Sequence, residues 1–206
     1  MRGVDDLNTV RTTGSRLLPV LPLEDACLFP GASLVHVVHN PADLSAVRLA
    51  ERLGGELIVL GYREGRRGPR DLHSVGTLAE LRSVQAVAPL EHKVELDGSC
   101  RAHVMTVLGT DVLVAETLPI AEHDAGDEWG PAVEALARYL HAHAELRNFL
   151  EKQRRSADPM SWVNLACQHL PITASARQKL LEASAPERCL KISRGLDALL
   201  RKEHTA

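Results

Sequence analysis

Histidines, cysteines, serines and one arginine-rich loop are the residues of this chain whose types could support chemistry. Of the ten histidines, only His36-Val-Val-His39 and His141-Ala-His143 form close pairs. A helical metal pair needs i, i+4 spacing, so that both rings lie on one face; i, i+2 sets His141 and His143 about 200° apart. His36 and His39 fall at the end of an apolar run, where a separation of three points them to opposite faces of a strand. Neither pair has a cysteine or carboxylate at ligand spacing, so no metal and no cofactor are expected. The serines include none in a Gly-x-Ser-x-Gly elbow. Cys27, Cys100, Cys167 and Cys189 lie far apart without a Cys-x-x-Cys pair, and read as small buried apolar side chains of a reducing compartment. A phosphate-cradling loop requires Gly-Lys-Ser/Thr, and the chain has no Gly-Lys pair. The sequence therefore predicts no ATP hydrolysis and no catalytic residue.

The densest basic cluster runs through Tyr62, Arg63, Arg66, Arg67 and Arg70, in a stretch whose Gly and Pro mark an exposed loop. Solvation alone accounts for such a loop; the functional reading is a contact with an acidic partner or with RNA phosphates. Trp129, beside Gly130-Pro131, is a candidate exposed anchor for a partner, while Trp162 is assigned to the core.

Composition narrows the classes. The 206 residues carry 24 Lys and Arg against 27 Asp and Glu, for a net charge of −3. The signs are interspersed, which disfavours a dedicated nucleic-acid binder. Aromatics make up 3% of the chain, too few for a base-stacking platform, and the core must be built from Leu, Val and Ala. No apolar run reaches the roughly 20 residues that cross a bilayer. The first residues are acidic where a signal peptide would be apolar. A cytoplasmic protein without membrane contact is expected.

Behind these residues stand the elements that must position them. Residues 1–15 are polar and aperiodic, and are expected to be a flexible lead-in. Strand-like runs follow at Leu17–Leu23, Leu34–Val38, Leu57–Tyr62, Val75–Val84, His92–Leu96, Arg101–Leu108 and Val112–Leu118. Their spacing predicts short antiparallel strands, with Asp97-Gly98 as a hairpin turn. One helix, Pro41–Leu53, interrupts them, capped by Asn40, stopped by Gly54-Gly55 and burying Leu44, Val47 and Leu53. Residues 121–130 are acidic and read as a linker. Helical periodicity then runs from Pro131 to about Arg155, from Met160 to His169, from a Thr173 cap to Ala183, and onward from the capping box Ser184-Ala-Pro-Glu187. The predicted class is α+β, with a β-rich part over 16–120 and a helical bundle over 131–203.

Short motifs sharpen that expectation. Leu21-Pro22-Leu23, Leu28-Phe29-Pro30-Gly31, Val75-Gly76-Thr77-Leu78-Ala79 and Gly98-Ser99-Cys100-Arg101-Ala102 occur in order in the first half. Asp158-Pro159, Leu165-Ala166-Cys167-Gln168-His169-Leu170-Pro171, Gln178-Lys179-Leu180-Leu181-Glu182 and Glu187-Arg188 follow in the second. Together they resemble the amino-terminal domain of Lon proteases, over roughly residues 17 to 202. After Phe29-Pro30-Gly31 the chain departs from the family pattern, with Val35-His36-Val37-Val38-His39-Asn40-Pro41 in place of a proline and an apolar pair. The resemblance implies a PUA-like β pseudo-barrel followed by a helical bundle. It implies a substrate-recognition domain standing alone, because the ATPase and protease that follow in Lon have no counterpart here. The function it implies is non-catalytic binding of unfolded or loosely structured polypeptides, as adaptor, regulator of a separate Lon protease or small holdase. RNA binding through the 63–70 loop and an unrecognised peptidase are the alternatives.

Overall fold

The computed structural model describes residues 14–63, 68, 71–122, 129–154 and 158–203. Six strands and six helices follow one another as β1 (Arg16–Leu23), β2 (Ser33–Val38), α1 (Pro41–Arg52), β3 (Glu56–Gly61), β4 (Val75–Ala88), β5 (Glu91–Leu108) and β6 (Val114–Pro119). The helices α2 (Trp129–Ala142), α3 (Ala144–Gln153), α4 (Pro159–His169), α5 (Ala174–Glu182) and α6 (Ala185–Glu203) complete the chain. The α+β class is as expected. Residues 1–13 of the lead-in 1–15 and residues 123–128 of the linker lie outside the described residues, and Trp129-Gly130 already belong to α2.

The sheet order is β2-β5-β4-β3-β1-β6, and β6 pairs back onto β5. Five strands therefore close a ring, and β2 attaches beside it, on the first half of β5. Closure removes most of the open edges that an isolated sheet would expose. β1 and β3 pair in parallel, with Val20 opposite Ile58, so the all-antiparallel expectation fails at this one pair. The intervening β2 and α1 supply the crossover a parallel pair needs.

The expected turn at Asp97-Gly98 is absent: β5 is one continuous strand through it. Gly98 donates its N–H to the Ala32 carbonyl at 2.9 Å and accepts from the Gly31 N–H at 2.8 Å. A Cβ at this position would overlap the Phe29 carbonyl oxygen, so glycine here permits a close backbone approach rather than a turn. Leu78 faces Cys100 and Ala79 faces Gly98, which leaves Ser99 as an extra residue. That bulge reverses the alternation of β5. Before it, Val94 and Leu96 join the large core shared with the helices; after it, Ala102 joins a smaller cluster within the ring. The ring cluster draws on all five strands, with Leu18, Val20, Ile58, Leu60, Leu78 and Ala115 among its members.

Local chemistry sets the helix ends. The Asn40 side chain accepts from the Ala42 N–H at 2.9 Å, and Gly54 and Gly55, both at positive φ, end α1. Ala46, Val47 and Ala50 form its buried face, whereas Leu53 is 61% exposed, contrary to expectation, because it caps the helix outside the stripe. The predicted helix from Pro131 to Arg155 is two helices. At His143 the ring Nδ1 lies 2.8 Å from the Tyr139 carbonyl, and the backbone N–H goes to the Leu140 carbonyl instead. That substitution breaks the i to i−4 ladder. Asp158 and Thr173 cap α4 and α5 through the N–H groups of Ser161 and Ala176. The Ser184 N–H donates to Glu187, the reciprocal half of a capping box.

Candidate functional site

The motif residues converge, and what they build is the seam between the sheet and the helices. Arg188 of α6 is completely buried, and Arg101 of β5 is 3% exposed. Both reach the carboxyl-terminal end of α5, where carbonyls lack helical partners. Arg101 Nη1 donates to the carbonyls of Leu181 at 2.9 Å and Ala183 at 2.7 Å. Arg188 donates to Leu180 at 2.9 Å and Ala183 at 3.0 Å. Glu122, just after β6, receives Arg101 Nη2 at 3.1 Å and Arg188 Nη2 at 3.4 Å. Burial pushes the Arg188 guanidinium below its ordinary range, and the Glu122 carboxylate opposes that shift.

Three amides continue the seam. Asn164 accepts from Arg188 at 2.7 Å and donates to the Pro30 carbonyl at 3.1 Å. Gln168 accepts from the Phe29 N–H at 2.9 Å and donates to the Ser33 carbonyl at 2.8 Å. Gln178 donates to the Val75 carbonyl at 3.0 Å, and Thr77 donates to the Leu28 carbonyl at 2.6 Å. Side-chain amides thus satisfy backbone groups of a buried loop that no ladder could serve. Phe29, fully buried, is the core anchor the sequence indicated. Every one of these polar groups faces another part of the same chain, so the motifs specify architecture.

The sequence-predicted contact residues are not gathered into one surface. Tyr62 bridges Leu72 and packs against the ring cluster, so it serves as wall. Arg63 is exposed, and its N–H donates to the Asp71 carbonyl at 2.7 Å. Arg66, Arg67 and Arg70 lie outside the described residues. Trp129 opens α2 and is partly buried against the main core. Trp162 is also only partly buried, with the Arg154 guanidinium 5.1 Å from its ring, so its assignment to the interior is corrected. Cys27, Cys167 and Cys189 are buried as expected, while Cys100 is half-buried. Burial pushes the Cys27 thiol up to about 11 and the Cys167 thiol up to about 12, which keeps both protonated and unreactive.

A feature that periodicity did not single out is a groove between α5 and α6. It encloses about 600 Å³, and its apolar lining comes from Leu170, Ile172, Leu180, Ile192, Leu196 and Leu199. The two helices meet at the Ala183-Ser184 turn, and the groove runs away from it. Lys179, Lys191 and Lys202 contribute to the lining. The apolar stripe of α6 was legible, but the sequence could not say that α5 covers only part of it. Further apolar side chains are exposed on the sheet: Val35 at 58%, Met105 at 63%, and Leu90 at 71% at the β4–β5 tip.

The sequence profile of the ATP-dependent protease La (LON) substrate-binding domain matches residues 17–196. The chain belongs to this family. It is 28% identical over 198 residues to Lon protease 1 of Thermus thermophilus, covering 89% of this chain and 24% of that protein. It is 24% identical over 176 residues to the Lon protease of Parabacteroides distasonis, covering 80% of this chain and 21% of that one. The chain thus spans about a quarter or less of these relatives. Its fold is similar to the N-terminal domain of the Mycobacterium avium complex Lon protease, with a TM-score of 0.70 at 20% identity. That match covers 89% of this chain and 98% of the other. A Lon N-terminal domain protein from Xanthomonas campestris gives a TM-score of 0.60 at 22% identity, over 85% and 95% of the two chains. Among the described residues no helix is long and apolar enough to cross a membrane.

Proposed function

We propose that this chain is a non-catalytic recognition module for unfolded or loosely structured polypeptide segments, acting as an adaptor or regulator of a separate protease or as a small holdase. The observation that carries the proposal is the family match over residues 17–196, to a domain described as substrate-binding. Physical support comes from the surface. A domain with an extensive buried apolar core still presents an apolar groove at α5–α6 and exposed Val35, Leu90 and Met105. Unfolded chains offer scattered apolar side chains that folded proteins hide, and such surfaces select for them. The non-enzymatic part of the reading draws on chemistry: the buried thiols are held protonated, and the buried arginines and amides are committed to internal partners.

Two assays test this reading together. Purified protein is titrated into a fluorescently labelled, permanently unfolded polypeptide, and the same preparation is incubated with casein, with and without ATP. Saturable binding with intact casein is the expected outcome. Casein fragmentation that survives stringent purification would replace the module by a peptidase. Binding of RNA that falls steeply between low and moderate salt, with no polypeptide binding, would favour phosphate recognition instead.

A further inference from the structure

We infer that the α5–α6 groove is a docking site for an amphipathic helical segment with acidic flanks. The inference rests on the polypeptide-binding reading above and specifies which segments bind, and where. Three observations carry it.

The first is the nature of the walls. Both are helices, whose main-chain N–H and C=O groups are consumed internally. An extended segment laid here would bury its own backbone groups against partners that cannot pair them. A helix satisfies its own backbone and offers only side chains. Laid along α5 and α6, it would complete a three-helix arrangement around one apolar seam.

The second is room. Gly195 lies on the groove side of α6, and a Cβ built there meets nothing within 4 Å. With Ala176 and Ala198 also in the lining, the floor is low where an incoming ridge of Leu-sized side chains would sit.

The third is charge. Lys179 on α5 and Lys191 on α6 stand in the lining, with Lys202 further along α6. Two carboxylates, Glu182 and Glu187, line it as well, and the carboxylates of both helices are engaged within the chain. Glu182 accepts from Gln178 at 2.9 Å and lies 3.2 Å from His73. Glu187 accepts from the Ser184 N–H at 3.2 Å and also sees Lys191. Asp197 is held by Arg138 at 2.8 Å, and Glu203 lies 3.3 Å from His143. Three lysines against the two carboxylates Glu182 and Glu187 leave the groove an apolar floor with a small cationic excess at its margins, which complements acidic flanks.

The test uses the full chain and two synthetic helices of roughly 14 residues, about four turns. Both carry Leu at i, i+3, i+4 and i+7; one has Glu at the flanking positions and its twin has Lys. Fluorescence anisotropy reads affinity, and labelled unfolded polypeptide is titrated in parallel. The Glu-flanked helix should bind about tenfold more tightly than its twin at low salt, as two or three weak ion pairs allow. Gly195→Trp, which adds bulk where a Cβ meets nothing within 4 Å, should weaken it at least about tenfold. Lys179→Glu with Lys191→Glu should invert the preference between the twins. Circular dichroism checks that each variant folds. If the variants leave helix binding and charge preference unchanged while unfolded polypeptide still binds, the groove assignment is wrong and the broader reading stands. If neither helix nor unfolded polypeptide binds, both fall. A dimer in sedimentation that Gly195→Trp dissociates would make a second copy of the chain the occupant, and would overturn the inference.

Discussion

Arg188 shows what a single residue does in this fold. Its guanidinium donates to Leu180 and Asn164, on two helices, and shares the Ala183 carbonyl with Arg101, all from one completely buried side chain. Replacing it by methionine, close in length but unable to donate, should cost about 3–5 kcal/mol in urea denaturation, with polypeptide affinity unchanged if the variant folds. A loss under about 1 kcal/mol would mean that the seam is ornamental. The thiols give a second residue-level expectation. The folded-state values of Cys27 and Cys167, raised from 9.0 to about 11 and about 12, mean that the unfolded chain loses these protons first as pH rises. Their contribution is fully present below pH 9 and declines above it, so stability should fall from about pH 9 towards 11. Cys27→Ala should flatten part of that slope in denaturation curves taken across the range. The sequence displayed Arg101, Arg188, Gln168 and Gln178 inside recognisable motifs, but not their partners. Those partners are backbone carbonyls and amides far away along the chain, and periodicity carries no signal for them.

Whole elements were more legible than their junctions. α1, α5 and α6 announced themselves through Asn40, Thr173 and the Ser184-to-Glu187 box, because caps are local chemistry, whereas α4 showed in its spacing and its Asp158 cap went unread. Asp158→Ala, which removes an acceptor for Ser161, should cost about 1 kcal/mol without altering the fold. Where an element's course depends on a distant neighbour, local signals misled. Asp97-Gly98 has the composition of a turn, yet the Leu28–Ala32 backbone crosses there and β5 runs straight through. Gly98→Ala should therefore behave as a packing defect, destabilising by about 1–3 kcal/mol through the clash with Phe29 rather than through lost turn geometry. A harmless Gly98→Ala would contradict that account. The α2–α3 break is a similar case, set by one histidine ring and invisible to hydrophobic spacing.

At the scale of the molecule, the seam ties the two halves. β4, β5, Glu122 after β6 and the β1–β2 loop send or receive hydrogen bonds across to α4, α5 and α6. The large apolar core likewise mixes Leu21, Leu57 and Val94 with Leu136, Cys167 and Leu196. One cooperative transition is expected, with far-ultraviolet dichroism and tryptophan fluorescence coinciding in urea, although both tryptophans lie in the helical half. Separate transitions, or two independently stable fragments after cleavage within residues 123–128, would divide the chain into two domains. The α+β class and the family were legible in the sequence because their signals are motifs and periods; the α5–α6 groove was not, since it is a gap left between elements. Selection of unfolded over folded polypeptide is the property that defines the function proposed for this surface. Its most direct test is a paired titration with one labelled polypeptide, presented once in its native fold and once reduced and alkylated so that it cannot refold. Saturable binding of the unfolded form, little changed by moderate salt, and no binding of the native form are expected. Equal affinity for both forms, or none for either, would contradict that selection.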